Sequence, residues 1–140
     1  MKILLAVDGS EYTRKMLEYV CTHRELFDTS HEFVLLHTPL PIPPHAKAAV
    51  GSLTVDEYYH DEAQKVLEPA AAALQACGIT PRREWRAGHA GETIGRFAEE
   101  GAFGMLIMGS HGHGALARLV MGSVATEVLA HCRTPVLLVR

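Results

Sequence analysis

The sequence predicts an α/β fold: a three-layer α/β/α sandwich with a parallel sheet in the middle. Three observations carry that prediction. Apolar runs at residues 3–7, 33–36, 105–108 and 136–139 are continuous rather than alternating, as strands buried on both faces are. Stretches with helical spacing separate them, the alternation expected of a parallel sheet. The composition, 48% hydrophobic and 21% charged over 140 residues, suits one domain spanning residues 1–140. A domain of that size buries roughly two-thirds of its unfolded surface.

The elements follow in order. Residues 3–7 form the first strand, stopped by Asp8, Gly9 and Ser10. A helix runs from Glu11 to about Phe27, with Ser10 as N-cap. Its apolar stripe is Met16, Leu17, Val20, Leu26 and Phe27, edged by Tyr12 and Tyr19. The second strand, 33–36, extends through His37 and Thr38. Pro39, Pro41, Pro43 and Pro44 end it, and residues 39–51 read as a loop over one end of the domain. Residues 52–77 are helical through Val55, Tyr58, Tyr59, Ala63, Val66, Leu67, Ala70, Ala73 and Leu74. Pro69 predicts a kink or a break there, and Gly78 is a C-cap candidate. The polar stretch 82–86 is ambiguous alone; lying between two helices, it reads as a third strand at an edge. A short helix at 92–99 turns Ile94 and Phe97 inward. The fourth strand, 105–108, ends at Gly109 and Ser110. The last helix covers 124–130, with Gly122 or Ser123 near its cap, and Pro135 introduces the final strand.

Composition also excludes several functions. Thirteen basic against 16 acidic residues leave a net charge of -3, without the basic face that nucleic acid needs. A polybasic anchor and an 18-residue apolar run are both missing, so no membrane partner is expected. High apolar content and low net charge exclude a disordered chain. The opening residues, Met1 to Asp8, are too short an apolar run for a secretory leader, which makes a cytoplasmic location the expectation. Cys21, Cys77 and Cys132 are odd in number and widely spaced. They imply no disulfide framework and read as small core residues, with redox sensing or metal binding as the alternatives.

Ligands of open α/β sheets bind beyond the carboxyl ends of the strands, where the strand order reverses. Asp8, Thr38 and Gly109 each follow such an end and share one crevice if strands one, two and four are neighbours. Between Met108 and Ser123 the chain is rich in glycine. Gly109, Gly112 and Gly114 permit positive φ and close approach to the backbone, and amides exposed by such turns form anion-binding nests. Gly122 and Ser123 open a helix whose free N–H groups and dipole favour phosphate, and the Ser123 hydroxyl is a further donor. Composition and spacing fit phosphate binding and simple turn formation equally well.

Other motifs can be tested directly. A Walker loop needs Lys where Ala115 stands, and the dinucleotide fingerprint is missing after the first strand. No G-x-S-x-G elbow precedes Ser123. Asp8 is open to three readings: ligand contact, turn and cap formation, or general base. His111 and His113 are candidates for facing phosphate, for plain exposure or for a metal pair, the last being a weak signal at this spacing. Arg118 is the one certain cation of the loop. His37 reads as a packed histidine and Trp85 as ordinary packing against a helix.

The spacing Gly109, two residues, Gly112, nine residues, Gly122-Ser123 resembles the ATP-binding motif of the universal stress protein family. So do Ala6-Val7-Asp8-Gly9-Ser10, Leu35-Leu36-His37, Met108-Gly109-Ser110, Gly122-Ser123-Val124 and Pro135-Val136-Leu137-Leu138-Val139. The resemblance covers essentially the whole chain, in order and length. It implies a Rossmann-like, five-stranded parallel sheet of order 3-2-1-4-5. It also implies a homodimer formed through the last strand, between Pro135 and Arg140.

In the family's ATP-binding subclass, the residue matching Asp8 contacts the adenosine portion, beside the backbone of Ala6 and Val7. The residue matching Thr38 offers its backbone to adenine; Thr departs from the apolar residue common there. Residues matching Gly109, Gly112, Gly122 and Ser123 hold ribose and phosphates. The stretches around them bring Met108, Ser110, His111, His113, Gly114 and Val124 into the candidate site. The implied cofactor is ATP or a related adenine nucleotide, with Mg²⁺ held through its phosphates; no residue is expected to bind metal directly and none is singled out as catalytic. The expected function is nucleotide-dependent regulation through an unidentified protein partner. The alternatives are a slow ATP hydrolase or phosphotransfer enzyme using the same site, and a dimeric stress module that binds no nucleotide.

Overall fold

The computed structural model describes residues 1–114 and 120–140. Its elements are β1 (Lys2–Ala6), α1 (Glu11–Thr22), β2 (Glu32–His37), α2 (Pro44–Val50), α3 (Ser52–Ala76), β3 (Arg82–Trp85), α4 (Ala90–Glu100), β4 (Met105–Gly109), α5 (Ser123–His131) and β5 (Val136–Val139). The strands form one all-parallel sheet in the order β3-β2-β1-β4-β5, the predicted fold. β1 pairs with both β2 and β4: Ala6 lies opposite Leu36 on one side and Met108 on the other. The strand order therefore reverses at β1, which places the carboxyl ends of β1, β2 and β4 side by side.

The continuous apolar runs exist because both faces of the sheet are covered. Ile3, Leu5 and Val7 point to one face, where they pack with Met16, Leu17 and Val20 of α1 and Leu67 and Leu74 of α3. Leu4 and Ala6 point to the other, against Ile94 and Ala98 of α4 and Ala125 and Val128 of α5. The two residue sets interleave along β1, as a period of two requires. β3 is polar because it is an edge strand: Arg82 and Arg83 are exposed, and Arg82 pairs with Glu32 at 3.2 Å. Trp85 packs beside Tyr59 of α3, ring centroids 5.9 Å apart, as expected.

Several expectations need correction. α1 stops at Thr22, not near Phe27, because the backbone at His23 leaves the helical region (φ -107°, ψ 60°). Phe27 still reaches the core through the following turn, whereas Leu26 is 53% exposed. Residues 44–50, read as loop, form α2. Pro44 sits at its first turn, where a missing N–H costs no helical bond. α3 passes Pro69 without a break. Pro69 and Lys65, whose carbonyl loses its helical donor, both face solvent, where water can replace that bond. Gly78 has φ +86°, as a glycine just beyond a helix end does.

The cysteine reading was wrong for two of the three residues. Cys21 and Cys77 are joined by a disulfide, with Cα atoms 5.7 Å apart; Cys132 is free. Their separation of 56 residues gave no hint of proximity. Packing of α1 and α3 on one face of the sheet brings them together.

Candidate functional site

At the carboxyl end of β1, β2 and β4 lies a cavity of about 530 Å³, within the usual range for small-molecule sites. All fourteen sequence-predicted residues line it: Ala6, Val7, Asp8, Thr38, Met108, Gly109, Ser110, His111, Gly112, His113, Gly114, Gly122, Ser123 and Val124. Thr13, Leu40, Ala90, Ile94 and Ala125 line it as well and were missed. Thr13 had a signal, since it sits in the first turn of the helix that follows Asp8. The others are small or apolar residues with no chemical signature. Arg118 lies outside the described residues.

Asp8 is fixed by the start of α1. Its Oδ1 accepts from the Ser10 N–H at 2.9 Å and from the Thr13 hydroxyl at 2.8 Å, while its own N–H donates to Thr13 Oγ1 at 3.0 Å. Ser10 is the N-cap and its hydroxyl accepts from the Thr13 N–H at 3.4 Å. Gly9 makes this turn with φ +77°, a backbone state that L side chains rarely adopt. One carboxylate oxygen is thus committed to the turn. The other, Oδ2, lies against Gly112: a Cβ there would stand 2.8 Å from it. Across the cavity mouth, His113 Nε2 donates to the Asp8 carbonyl at 2.6 Å, tying the glycine loop to β1. His37 Nδ1 donates to the Val7 carbonyl at 2.8 Å, so His37 braces the strand end as a packed residue.

The glycines act by close approach. Gly109, Gly112, Gly114 and Gly122 all lack positive φ, so of the two allowances that glycine gives, close approach is the one in use. A Cβ on Gly109 would lie 2.6 Å from Tyr12 Cβ and 3.2 Å from the His111 carbonyl oxygen. On Gly122 it would lie 3.0 Å from His111 Cα and 3.1 Å from the Ser110 carbonyl oxygen. The Gly122 N–H donates to that same Ser110 oxygen at 2.7 Å, and the Ser110 N–H donates to Val139 at 2.9 Å. The start of α5 is therefore pressed against the turn leaving β4. Among the described residues, nothing lies within 4 Å of where a Cβ on Gly114 would stand.

Among the described residues, no side chain caps α5. Gly122 makes no side-chain cap bond, and Thr126 donates to Gly122 at 3.0 Å, the first bond of the helical series. The amides of Ser123, Val124 and Ala125 precede that bond, and all three residues line the cavity. The helix dipole adds positive potential at the same place. Ser110 Oγ and His111 Nδ1 are 2.8 Å apart, and the His111 ring lies 4.9 Å from that of Tyr12. Among the described residues, Asp8 is the sole carboxylate lining the cavity, and no group of three or more His, Cys, Asp or Glu gathers to hold a metal. No helix among those residues is long and apolar enough to cross a membrane.

Comparisons with known proteins agree with this architecture. The sequence model of the Universal stress protein family matches residues 1–140. Universal stress protein Slr1230 of Synechocystis is 34% identical over 139 residues; the match covers 99% of this chain and 42% of that protein, so the chain spans about two-fifths of that relative's length. The solved structure of MJ0577 from Methanocaldococcus jannaschii superimposes with a TM-score of 0.75 at 28% identity, covering 99% of this chain and 94% of that one. More distant structures share the fold: an Archaeoglobus fulgidus universal stress protein in complex with dAMP (21% identity, TM-score 0.70, 100% and 98% covered) and an Arabidopsis thaliana member with AMP bound (14%, 0.69, 99% and 90%). With the family's model matched along its whole length, the chain belongs to the universal stress protein family.

Proposed function

We propose that this chain binds ATP or a related adenine nucleotide in the cavity at the carboxyl end of the sheet and acts as a nucleotide-dependent regulator. One observation carries the reading. Among the described residues no side chain caps α5, and Ser123, Val124 and Ala125, whose amides precede its first helical bond, line the cavity together with Asp8. A phosphate chain is the ligand that such amides favour. Solved relatives with AMP and dAMP supply the nucleoside half of the reading.

The assignments are those the family resemblance implies, and the position of these residues around the cavity supports them. Asp8 Oδ2 and the backbone at Ala6, Val7 and Thr38 take the adenosine portion. Gly109, Gly112 and Gly122 leave room for ribose and phosphates beside the backbone. Ser123 adds its hydroxyl to the α5 amides, and His111 and His113 face the phosphate side. Mg²⁺ enters with the phosphates, since Asp8 alone cannot supply a hard-cation site. β5 is an edge strand of half-buried apolar residues, the kind of edge a second copy pairs with, and residues 135–140 form the proposed dimer contact. A regulator must bind its ligand unequally in two conformations; the protein that reads the difference is part of the proposal, as is a cytoplasmic site of action.

The test is direct titration of nucleotide-stripped protein with ATP, ADP and AMP, with and without Mg²⁺, by calorimetry. Saturable binding is expected. Failure to bind at millimolar concentration ends the reading. A turnover assay on the same samples separates binder from hydrolase: product limited to a single turnover keeps the regulator, and sustained release of phosphate replaces it with an enzyme.

A further inference from the structure

A second groove, of about 560 Å³, runs between α1 and α3. Leu17, Val66 and Ala70 are among the apolar residues lining it, and Arg14 and Lys65 add charge. Cys21 and Cys77 both line it and both are half-buried, so their disulfide is reachable from solvent through the groove. We propose that this pair is a reversible thiol–disulfide exchange site whose co-reactants are low-molecular-weight thiols and their disulfides.

The surroundings suit both redox states. Cys77 Sγ lies 3.2 Å from the Leu74 carbonyl oxygen, and Cys21 Sγ lies 3.7 Å from that of Ala73. Once reduced, the Cys21 thiol has the Ala73 carbonyl in reach as an acceptor, whereas the Leu74 carbonyl beside Cys77 already takes the N–H groups of Cys77 and Ile79. The Ala73 carbonyl is well suited to this: the Cys77 N–H that would reach it in a continuing helix goes instead to Leu74, at 3.1 Å. The two cysteines also sit at helix ends, Cys21 in the last turn of α1 and Cys77 as the C-cap of α3. Breaking the bond releases those ends without removing any side chain from the buried core between them and the sheet.

The chemistry balances as ordinary exchange. A thiolate RS⁻ attacks one sulfur of the pair. The S–S bond breaks, and its electrons leave with the other cysteine as a thiolate, which takes up a proton. A second RS⁻ attacks the mixed disulfide, releases RSSR and frees the first cysteine, which is protonated in turn. Two RSH and one protein disulfide become one RSSR and two protein thiols; RSSR drives the reverse.

The test equilibrates the folded, full chain in buffers of reduced and oxidised glutathione, quenches with acid, alkylates free thiols and reads the mass of each cysteine peptide. The pair is expected to pass from nine-tenths oxidised to nine-tenths reduced over about a hundred-fold change in [GSH]²/[GSSG], the width of a single two-electron couple. The far-UV circular dichroism should stay native throughout, and Cys132→Ser should leave the titration unchanged. A bond that resists reduced glutathione until denaturant is added would make the pair a structural staple and overturn the proposal. Thiols that never oxidise in GSSG, or a titration that disappears in Cys132→Ser, would overturn it equally.

Discussion

β1 and β4 run side by side, and each delivers the chain to a helix N-terminus at the same end of the sheet, yet the two helix starts are finished in opposite ways. At α1 the protein uses its own side chains. Ser10 caps the helix, Asp8 Oδ1 takes the Ser10 amide and the Thr13 hydroxyl, and the turn is closed. At α5 the N-cap is Gly122, which has no side chain to offer, and the first amides face a cavity. A helix start usually carries Ser, Thr, Asp or Asn, because an unmet N–H is costly. α2, α3 and α4 also begin without a side-chain cap bond, so an open start is not peculiar to α5; three successive first-turn residues of α5 line the cavity, against Ala90 alone from the first turn of α4. The closed start has its own part in this: it holds Asp8, whose Oδ2 lies against Gly112 in the same cavity.

The largest effect expected from disturbing this arrangement is at Gly122. In Gly122→Val the new Cβ meets His111 Cα and the Ser110 carbonyl oxygen, both backbone atoms that cannot swing aside. The start of α5 must move away from the turn after β4. ATP affinity should fall at least a hundred-fold, corresponding to about 2.8 kcal/mol, while overpacking lowers stability by about 1–3 kcal/mol. Calorimetry and urea unfolding on the same preparation read the two numbers. Unchanged affinity would show that the open helix start is not where phosphates bind.

Thr13→Val strikes the closed start. Valine keeps the shape but removes the hydroxyl that Asp8 uses twice, leaving the Asp8 N–H and one carboxylate oxygen short of a partner. Thr13 is buried, so the loss should cost about 1–3 kcal/mol in unfolding free energy. With Asp8 held by the Ser10 N–H alone, ATP should bind roughly tenfold more weakly, about 1.4 kcal/mol. Gly112→Ala should do less. Its Cβ meets only Asp8 Oδ2, the end of a side chain that can rotate, so a loss of affinity of a few-fold is expected, well short of Gly122→Val. Equal losses in the two glycine variants would mean that crowding of the loop matters more than the position of the α5 amides.

Much of this contrast was legible in the sequence. Ser10 reads as a cap at the end of the first strand, and Gly122 or Ser123 reads as lying near the cap of the last helix. Convergence of the turns after parallel strands brought Asp8, Thr38 and Gly109 together, and the family resemblance supplied the rest of the fourteen residues. What sequence could not supply was distance across the fold. Thr13 reaches the site by leaning back over Asp8, and Ile94 and Ala125 by facing inward from separate helices. The disulfide was hidden for the same reason, since 56 residues separate cysteines that only the packing of α1 on α3 makes neighbours. α2 was lost to its prolines, which signal a break whether they end a strand or begin a helix. The apolar pattern that continued to Phe27 overran α1, because a turn can bury a side chain as well as another helical turn can.

The smallest expected effect is the most discriminating. Ser10→Ala removes the cap hydroxyl from the closed helix start and should cost about 1 kcal/mol, visible as a lower urea midpoint with an unchanged slope. The bond from the Ser10 N–H to Asp8 Oδ1 comes from the backbone and survives the change, as does the Thr13 hydroxyl on the same oxygen. The carboxylate therefore keeps its place, and ATP affinity should stay within a factor of two, about 0.4 kcal/mol. Stability and binding should thus part company at Ser10, where they fall together at Thr13. If Ser10→Ala weakened binding as much as Thr13→Val does, general loosening of α1 would explain both, and the special hold of Thr13 on Asp8 would lose its support.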